Sequence, residues 1–459
     1  MISISAKKLA EIVDGKLSNI PEEFVVDQLP IINSKLATNG TFFVAFKGTQ
    51  VDGHDFVSEA IKNGSAFAIV SKSVDAPSVL VKDVGQALLS MANYVRNNIQ
   101  GLKVVGITGS QGKTTTKEFL YSILRQLGQT VATEGNFNTE IGVPLTILRC
   151  NENTKYCILE MGARHEGDIL KLTKISEPDV GVVLVVGTAH IGEFGSVEKI
   201  AKTKGELIAG LSSSAIAVLG SYDSWTPKMA DGMSIKKISF GEQQEIRAAD
   251  VEIHGGYAHF DLVTPSGRNS VSLQVIGEQQ IPNALAASAA AYALKVSNEN
   301  IATGLTVAKL SSKWRMEVTE TKGTQFINDY YNANPESMKA AIKTLVLLSQ
   351  ESGGSSWAIL GKMHELGSIE ISAHEEIVKY CIDLGVDHLV SVGTDLYKLA
   401  GDQKSAKHML FHNCSDADAV LELVDNFSVG DVVLLKASRS EKFEDLAQAV
   451  NLRWNGEQL

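Results

Sequence analysis

The residues with the clearest chemical purpose lie at Thr108-Gly109-Ser110-Gln111-Gly112-Lys113-Thr114-Thr115. Glycines let backbone amides approach phosphate oxygens, a helix starting at the GKT adds partial positive charge, Lys113 can reach β/γ-phosphates, and Thr114 can ligate Mg²⁺. The general pattern GxxxxGK[ST] places a glycine where this chain has Ile107, so the motif is met only in part. The competing reading is a GKT that merely begins a helix.

Four further residues are candidates to hold or tune a cation. Glu160 closes the apolar run Tyr156 to Glu160 and is followed by Met161-Gly162; it suits a magnesium ligand, but equally a helix N-cap or a surface acid. His190, in GTAHIGEFGS, could ligate a metal, although a satisfied loop histidine is the commoner case. Lys202 and Lys204 share the helical stretch Val197 to Leu211, and spacing alone does not separate them from solvated lysines.

These residues need elements to position them. The apolar run Lys103 to Thr108, the Gly-rich turn and a helical pattern from Thr114 to Leu127 follow in the strand, loop, helix order of a phosphate site. Strands are expected at Tyr156 to Glu160, Val180 to Val186 and Ala215 to Leu219, with helices between them, as in a doubly wound parallel sheet. Short alternating runs from Ile238 to Ile276, with turns at Gly255-Gly256 and Pro265-Ser266-Gly267, predict an antiparallel insertion before the alanine-rich helix Ala284 to Lys295. Ahead of this unit, runs at Thr41 to Phe46 and Ala66 to Ser71 with the helix Val57 to Lys62 predict a small α/β unit, and the helix Val84 to Asn98 leads out of it. A third α/β pattern begins near Ser311, with strands at Trp357 to Leu360, His388 to Val392 and Val432 to Leu435. The expected division is 1–83, 84–310 and 311–459, with hinges near 83 and 311. There is no internal repeat and no low-complexity tract.

Composition narrows the function class. A chain of 459 residues exceeds one compact core, and 44% hydrophobic with 21% charged residues is ordinary for a soluble protein. A net charge of -11 disfavours nucleic acid and anionic membranes, so a phosphate-bearing ligand needs a local site. The four cysteines, Cys150, Cys157, Cys381 and Cys414, form no CxxC pair, which reads as reduced thiols in the cytoplasm. No signal peptide and no membrane span are expected.

The shorter form TGxxGKTT joins six other stretches: EGNFNTEIGVPLTIL (134 to 148), LEMGARHEGDI (159 to 169), HIGEFGS (190 to 196), AKTKGEL (201 to 207), NDYYNANPESM (328 to 338) and LLKASRSEKFEDL (434 to 446). Taken together, in this order and over nearly the whole chain, they resemble the Mur ligases. FVAFKGTQVDGHDF (43 to 56) is similar to that family's UDP-sugar-binding domain.

The resemblance implies three domains: a small UDP-sugar-binding domain, a central ATPase-like domain and a Rossmann-like C-terminal domain. It implies ATP and Mg²⁺ as cofactors, UDP-MurNAc-tripeptide and D-Ala-D-Ala as small-molecule partners, and a monomer. Lys113 and Thr114 would bind phosphates and metal, and Glu160 and His190 would ligate magnesium. Lys204 falls where relatives carry a lysine carbamylated by CO₂, leaving Lys202 a bystander. Asn283 and the loop Asn332, Ala333, Asn334, Pro335 match the region that holds adenine and ribose, while Arg315 matches an arginine that reaches the phosphates. Asn136, Asn138, Thr139, Lys436, Ser438 and Arg439 would contribute to substrate binding.

Some positions depart from the family pattern. Asn33-Ser34-Lys35 stands where an Asp-Ser/Thr-Arg triplet is usual, which changes a charge-assisted contact to the UDP-sugar. Asn328 replaces the first of two acids before the YNAN loop, and Phe443 replaces a common methionine. The activity implied is amide formation through an acyl phosphate, inside domains that close to exclude water. Two alternatives remain: another Mur-type or folylpolyglutamate-type ligase, and a P-loop switch NTPase, which would leave the C-terminal motifs without a purpose.

Overall fold

The computed structural model describes residues 1–398 and 408–457. It is an α/β protein in three units, as the sequence predicts. The central sheet is six-stranded and wholly parallel, in the spatial order Lys236–Phe240, Ile216–Gly220, Val180–Val183, Lys103–Thr108, Thr154–Glu160, Gln129–Ala132. Its inner strands, such as Val180–Val183 and Ile216–Gly220, read as continuous apolar runs because both faces are covered. Val104, Cys157 and Leu159 enter one core with the helices Val84–Asn98, Gly142–Ile147 and Asp168–Ser176, whereas Val105, Ile107 and Ile158 enter another with Lys113–Leu124 and Gln280–Ala293. After Lys103–Thr108 the chain builds on one side of that strand and later returns to the other side. Ligands bind at such a reversal, outside the carboxyl ends of the strands.

Several predicted bounds hold to the residue, among them the helices Val57–Lys62 and Val84–Asn98 and the strand Lys103–Thr108. One assignment needs correction. The antiparallel insertion begins at Arg247, not at Ile238, and runs as three strands to Ile276; Lys236–Phe240 instead pairs in parallel with Ile216–Gly220. A strand of five residues, here mixing exposed and buried positions, carries no local mark of the sheet it will join.

The N-terminal sheet has five strands, and Phe42, Val44 and Ile69 on one of its faces share a core with the helix Val84–Asn98. Arg96 fastens that helix to the central unit by donating to Ser176 O (2.9 Å) and to Asp179 Oδ2 (3.0 Å). The C-terminal sheet is six-stranded, with one antiparallel edge strand, Glu317–Thr321, and its own cores on both faces. Among the described residues no helix is long and apolar enough to cross a membrane.

Candidate functional site

Strand register assembles the site's centre. Glu160 lies beside Ile107 and Val183 beside Thr108, so three strand ends meet at the phosphate loop. Gly112 has φ +82°, and a Cβ there would fall 2.2 Å from Asn283 Oδ1, so only glycine lets the loop pass Asn283. The helix Lys113–Leu124 starts at once, and Lys113 Nζ folds back to donate to Gly109 O at 2.7 Å. Ser110 ties the loop to the next strand end: its N donates to Val185 O (2.8 Å), and its Oγ accepts from Gly187 N (2.9 Å). Gln111 is exposed, and Thr115 is buried within the helix.

Glu160 is 3% exposed, which removes the surface-acid reading. Thr114 Oγ1 donates to its Oε2 at 3.0 Å, Asn138 Nδ2 donates to its Oε1 at 3.0 Å, and its own N donates to Thr133 Oγ1 at 3.0 Å. A hydroxyl and a carboxylate are therefore fixed together at a helix N-terminus. Mg²⁺ takes hard oxygen donors, usually one or two carboxylates with phosphate oxygens and water. This donor pair fits it, and among the described residues no group of three or more His, Cys, Asp or Glu competes as an all-protein cage.

Positive charge gathers around that pair. Burial lowers the Lys113 pKa, with Arg315 adding to the shift and Glu160 opposing it. Lys204 is 2% exposed, its ammonium nitrogen 6.0 Å from the Phe194 ring centroid, and burial followed by the charge of Lys113 brings its pKa down to about 7. A neutral amine is the form that attacks CO₂, so this environment suits carbamylation. Lys202, two positions earlier on the same helix, points outward to Glu166, which raises its pKa. His190 has φ +64° and is half-buried, with its Nδ1 2.5 Å from Glu365 Oε2. Burial lowers the His190 pKa; Lys113 and Lys204 push the same way, and Glu365 opposes.

Arg315 stacks 3.9 Å over the Tyr331 ring, and its Nε is buried without a partner. An orphaned guanidinium donor within electrostatic reach of Lys113 suits a phosphate oxygen. Arg315 and Tyr331 line a cleft of about 480 Å³ with Thr114, Lys117, Thr133 and Arg149.

The other expected site residues divide into holders and free groups. Asn334 caps the helix Pro335–Ser352 in a capping box with Ser337, and Pro335 takes the first helical position. Asn332 Oδ1 accepts from Ala333 N, and Asn332 O accepts from Lys436 Nζ at 2.9 Å. Lys436 is 1% exposed and paired with Asp329 Oδ2 at 2.6 Å, so it braces this loop. Ser438 Oγ accepts from His364 N. Arg439 pairs with Glu444 and lies 4.4 Å over the Trp314 ring. Asn136 is exposed and Thr139 half-buried. In the N-terminal unit Asn33 caps a short turn, Ser34 donates to Glu59 at 2.7 Å, and Lys35 is exposed.

Sequence reasoning missed Thr133 and the acids at the domain boundary. Glu118 Oε2 accepts from Ser311 N (3.0 Å), its Oε1 accepts from Ser312 Oγ (2.5 Å), and Glu336 accepts from Thr188 N (3.0 Å). The pairings of the acids each span more than a hundred residues, and Thr133 meets Glu160 only through the pairing of two strands, so no local pattern announces them.

Comparison with known proteins agrees with this architecture. The Mur ligase family's catalytic domain matches residues 31–104, its middle domain 107–291 and its glutamate ligase domain 314–439. The UDP-N-acetylmuramoyl-tripeptide–D-alanyl-D-alanine ligase of Mycobacterium tuberculosis is 35% identical over 98% of each chain. MurF from Acinetobacter baumannii superposes with a TM-score of 0.89 at 33% identity, over 98% of this chain and 99% of that one. MurF ligase from Thermotoga maritima in complex with ADP gives 0.81 at 31%, over 94% and 99%. With 98% of its length matched and Thr114 held on Glu160 at the end of its phosphate loop, this chain belongs to the Mur ligase family.

Proposed function

We propose that this protein joins D-Ala-D-Ala to UDP-MurNAc-tripeptide at the expense of ATP, forming an amide, ADP and phosphate in peptidoglycan precursor synthesis. The observation that carries the reading is the pairing of Thr114 with Glu160 beside Lys113, in a chain alike over its whole length to ligases of that name. The reading assigns 1–83 to the UDP-sugar, 84–310 to ATP and 311–459 to closure. It places the enzyme in the cytoplasm as a monomer, serving cell shape and division.

A carboxylate and an amine do not condense in water unless the carboxylate is activated. The γ-phosphoryl group passes to the terminal carboxylate of the tripeptide and ADP departs. Lys113, Arg315 and the loop amides offset charge on the transferring oxygens. Bound Mg²⁺ supplies further charge neutralisation; Thr114 and Glu160 would hold it, joined by His190 and by Lys204 once carbamylated. The D-Ala-D-Ala amine then attacks the acyl phosphate carbonyl, loses a proton, and expels phosphate. Burial of the site under the C-terminal unit protects the acyl phosphate from hydrolysis.

The test is an omission series with ATP, Mg²⁺, UDP-MurNAc-tripeptide and D-Ala-D-Ala, following phosphate release and product mass. Phosphate release that requires both acceptors, with a product heavier by the dipeptide less water, is the expected result. ATP hydrolysis without either acceptor would replace this reading with a switch NTPase, and amide formation with another amine would move the substrate within the family.

A further inference from the structure

The turn that carries His190 is gripped from the C-terminal unit at two points. Glu336 Oε1 accepts from Thr188 N at 3.0 Å and from Thr188 Oγ1 at 2.9 Å, holding the turn's backbone and hydroxyl. Two residues on, Glu365 reaches the imidazole itself, with Oε2 2.5 Å from His190 Nδ1. The backbones also meet there, for Gly192 N donates to Glu365 O at 2.9 Å. A Cβ on Gly192 would stand 2.8 Å from that oxygen and 3.0 Å from Gly367 N, so only glycine permits the approach.

A carboxylate only accepts hydrogen bonds, so across the 2.5 Å contact a carboxylate at Glu365 pairs with the tautomer that carries its proton on Nδ1. In a neutral imidazole that leaves the lone pair on Nε2, the form in which histidine ligates a metal. We infer that Glu365 is a positioning residue: docking of the C-terminal unit delivers its carboxylate to Nδ1, fixes the tautomer and ring orientation of His190, and completes the metal site only in the docked arrangement. The inference rests on the reading of His190 as a metal ligand. Its physical basis is general, since a carboxylate behind a ligating histidine raises the ligand's basicity and removes its freedom to turn. Closure and metal binding are then one event, because the acid and the histidine come from different units.

Mn²⁺ titration of the full-length protein with saturating ADP, read by electron paramagnetic resonance, measures metal affinity without turnover. Long-range ¹⁵N spectra of histidine-labelled protein report the tautomer, with the His190 signal identified by its loss in H190Q. E365A is expected to weaken Mn²⁺ binding about tenfold and to abolish the Nδ1–H signature, while E365Q, which keeps an acceptor oxygen but not the charge, keeps the tautomer and weakens Mn²⁺ binding less than E365A. Unchanged Mn²⁺ affinity and tautomer in E365A would overturn the inference. So would equal losses in E365A and E365Q with a lowered melting temperature and no tautomer change, the mark of a loop-folding role. If E365A does not fold, E365D takes its place, its carboxylate being too short to reach. Failure of the wild type to form the amide while these titrations behave as expected would sink the ligase reading alone.

Discussion

Two lysines are sunk to the same depth in different units, and their surroundings oppose each other. Lys436, in the C-terminal unit, is 1% exposed and is met by Asp329 Oδ2, Asp329 O and Asn332 O. Lys204, in the central unit, is 2% exposed and has an aromatic ring at 6.0 Å and another lysine's charge nearby, with its pKa at about 7. An ammonium buried with its acid is satisfied and inert. One buried beside a second cation is driven towards the free amine, which is a nucleophile. Burial alone therefore does not say whether a lysine is structural or reactive; the charge beside it does.

The contrast predicts opposite mutational signatures. K204M should lower amide formation by about 10³-fold, the scale for losing a group that stabilises transition-state charge, with the melting temperature unchanged or raised because an uncompensated buried amine is gone. Phosphate release and a thermal melt on one preparation measure both. K436M should do the reverse, costing about 3 kcal/mol in a urea melt because Asp329 is left without its partner, while residual turnover, corrected for folded fraction, falls far less than in K204M. If K436M proved the deader enzyme and K204M the less stable, the comparison would be inverted.

A smaller instance of the same rule lies at the strands His388–Val392 and Leu410–Cys414. His388 Nδ1 and His412 Nε2 are 3.3 Å apart, and the His388 ring stacks 3.5 Å from the Trp357 ring. Burial lowers both pKa values from 6.5, and for His388 the charge of His412 adds to it. The unfolded chain therefore takes up protons first as acidity rises, so stability is full above about pH 6.5 and is lost below it. H412Q should flatten that acid limb by under about 1 kcal/mol, measured by urea melts between pH 5 and 7. The least effect belongs to Lys202, which pairs with Glu166 at the surface: K202M should leave melt and turnover where they were, and a loss of activity there would move the reactive lysine two positions.

Most of the elements were legible. Lys103–Thr108 is an apolar strand before glycines and Val84–Asn98 is an amphipathic helix with Asp83 as its cap, so local periodicity was enough. The phosphate loop was legible for the same reason, since strand, turn and helix are contiguous. Lys204 and Lys202 were separated only by resemblance, because helical spacing shows that they face apart but not which face is buried. The edge strand Gln129–Ala132 was not anticipated, because four residues bounded by a glycine carry too little pattern.

By itself, then, the sequence determined what the chain does over short distances: where it turns, caps, alternates and presents Lys113 and Thr114 at a helix start. Tertiary structure alone decided which distant groups meet. Thr133 and Asn138 on Glu160, Glu118 on the Ser311-Ser312 linker, Glu336 on Thr188 and Glu365 on His190 all depend on strand order and domain docking. Periodicity is a property of neighbours along the chain. A hydrogen bond between residues 190 and 365 is a property of two surfaces that only the tertiary fold brings together.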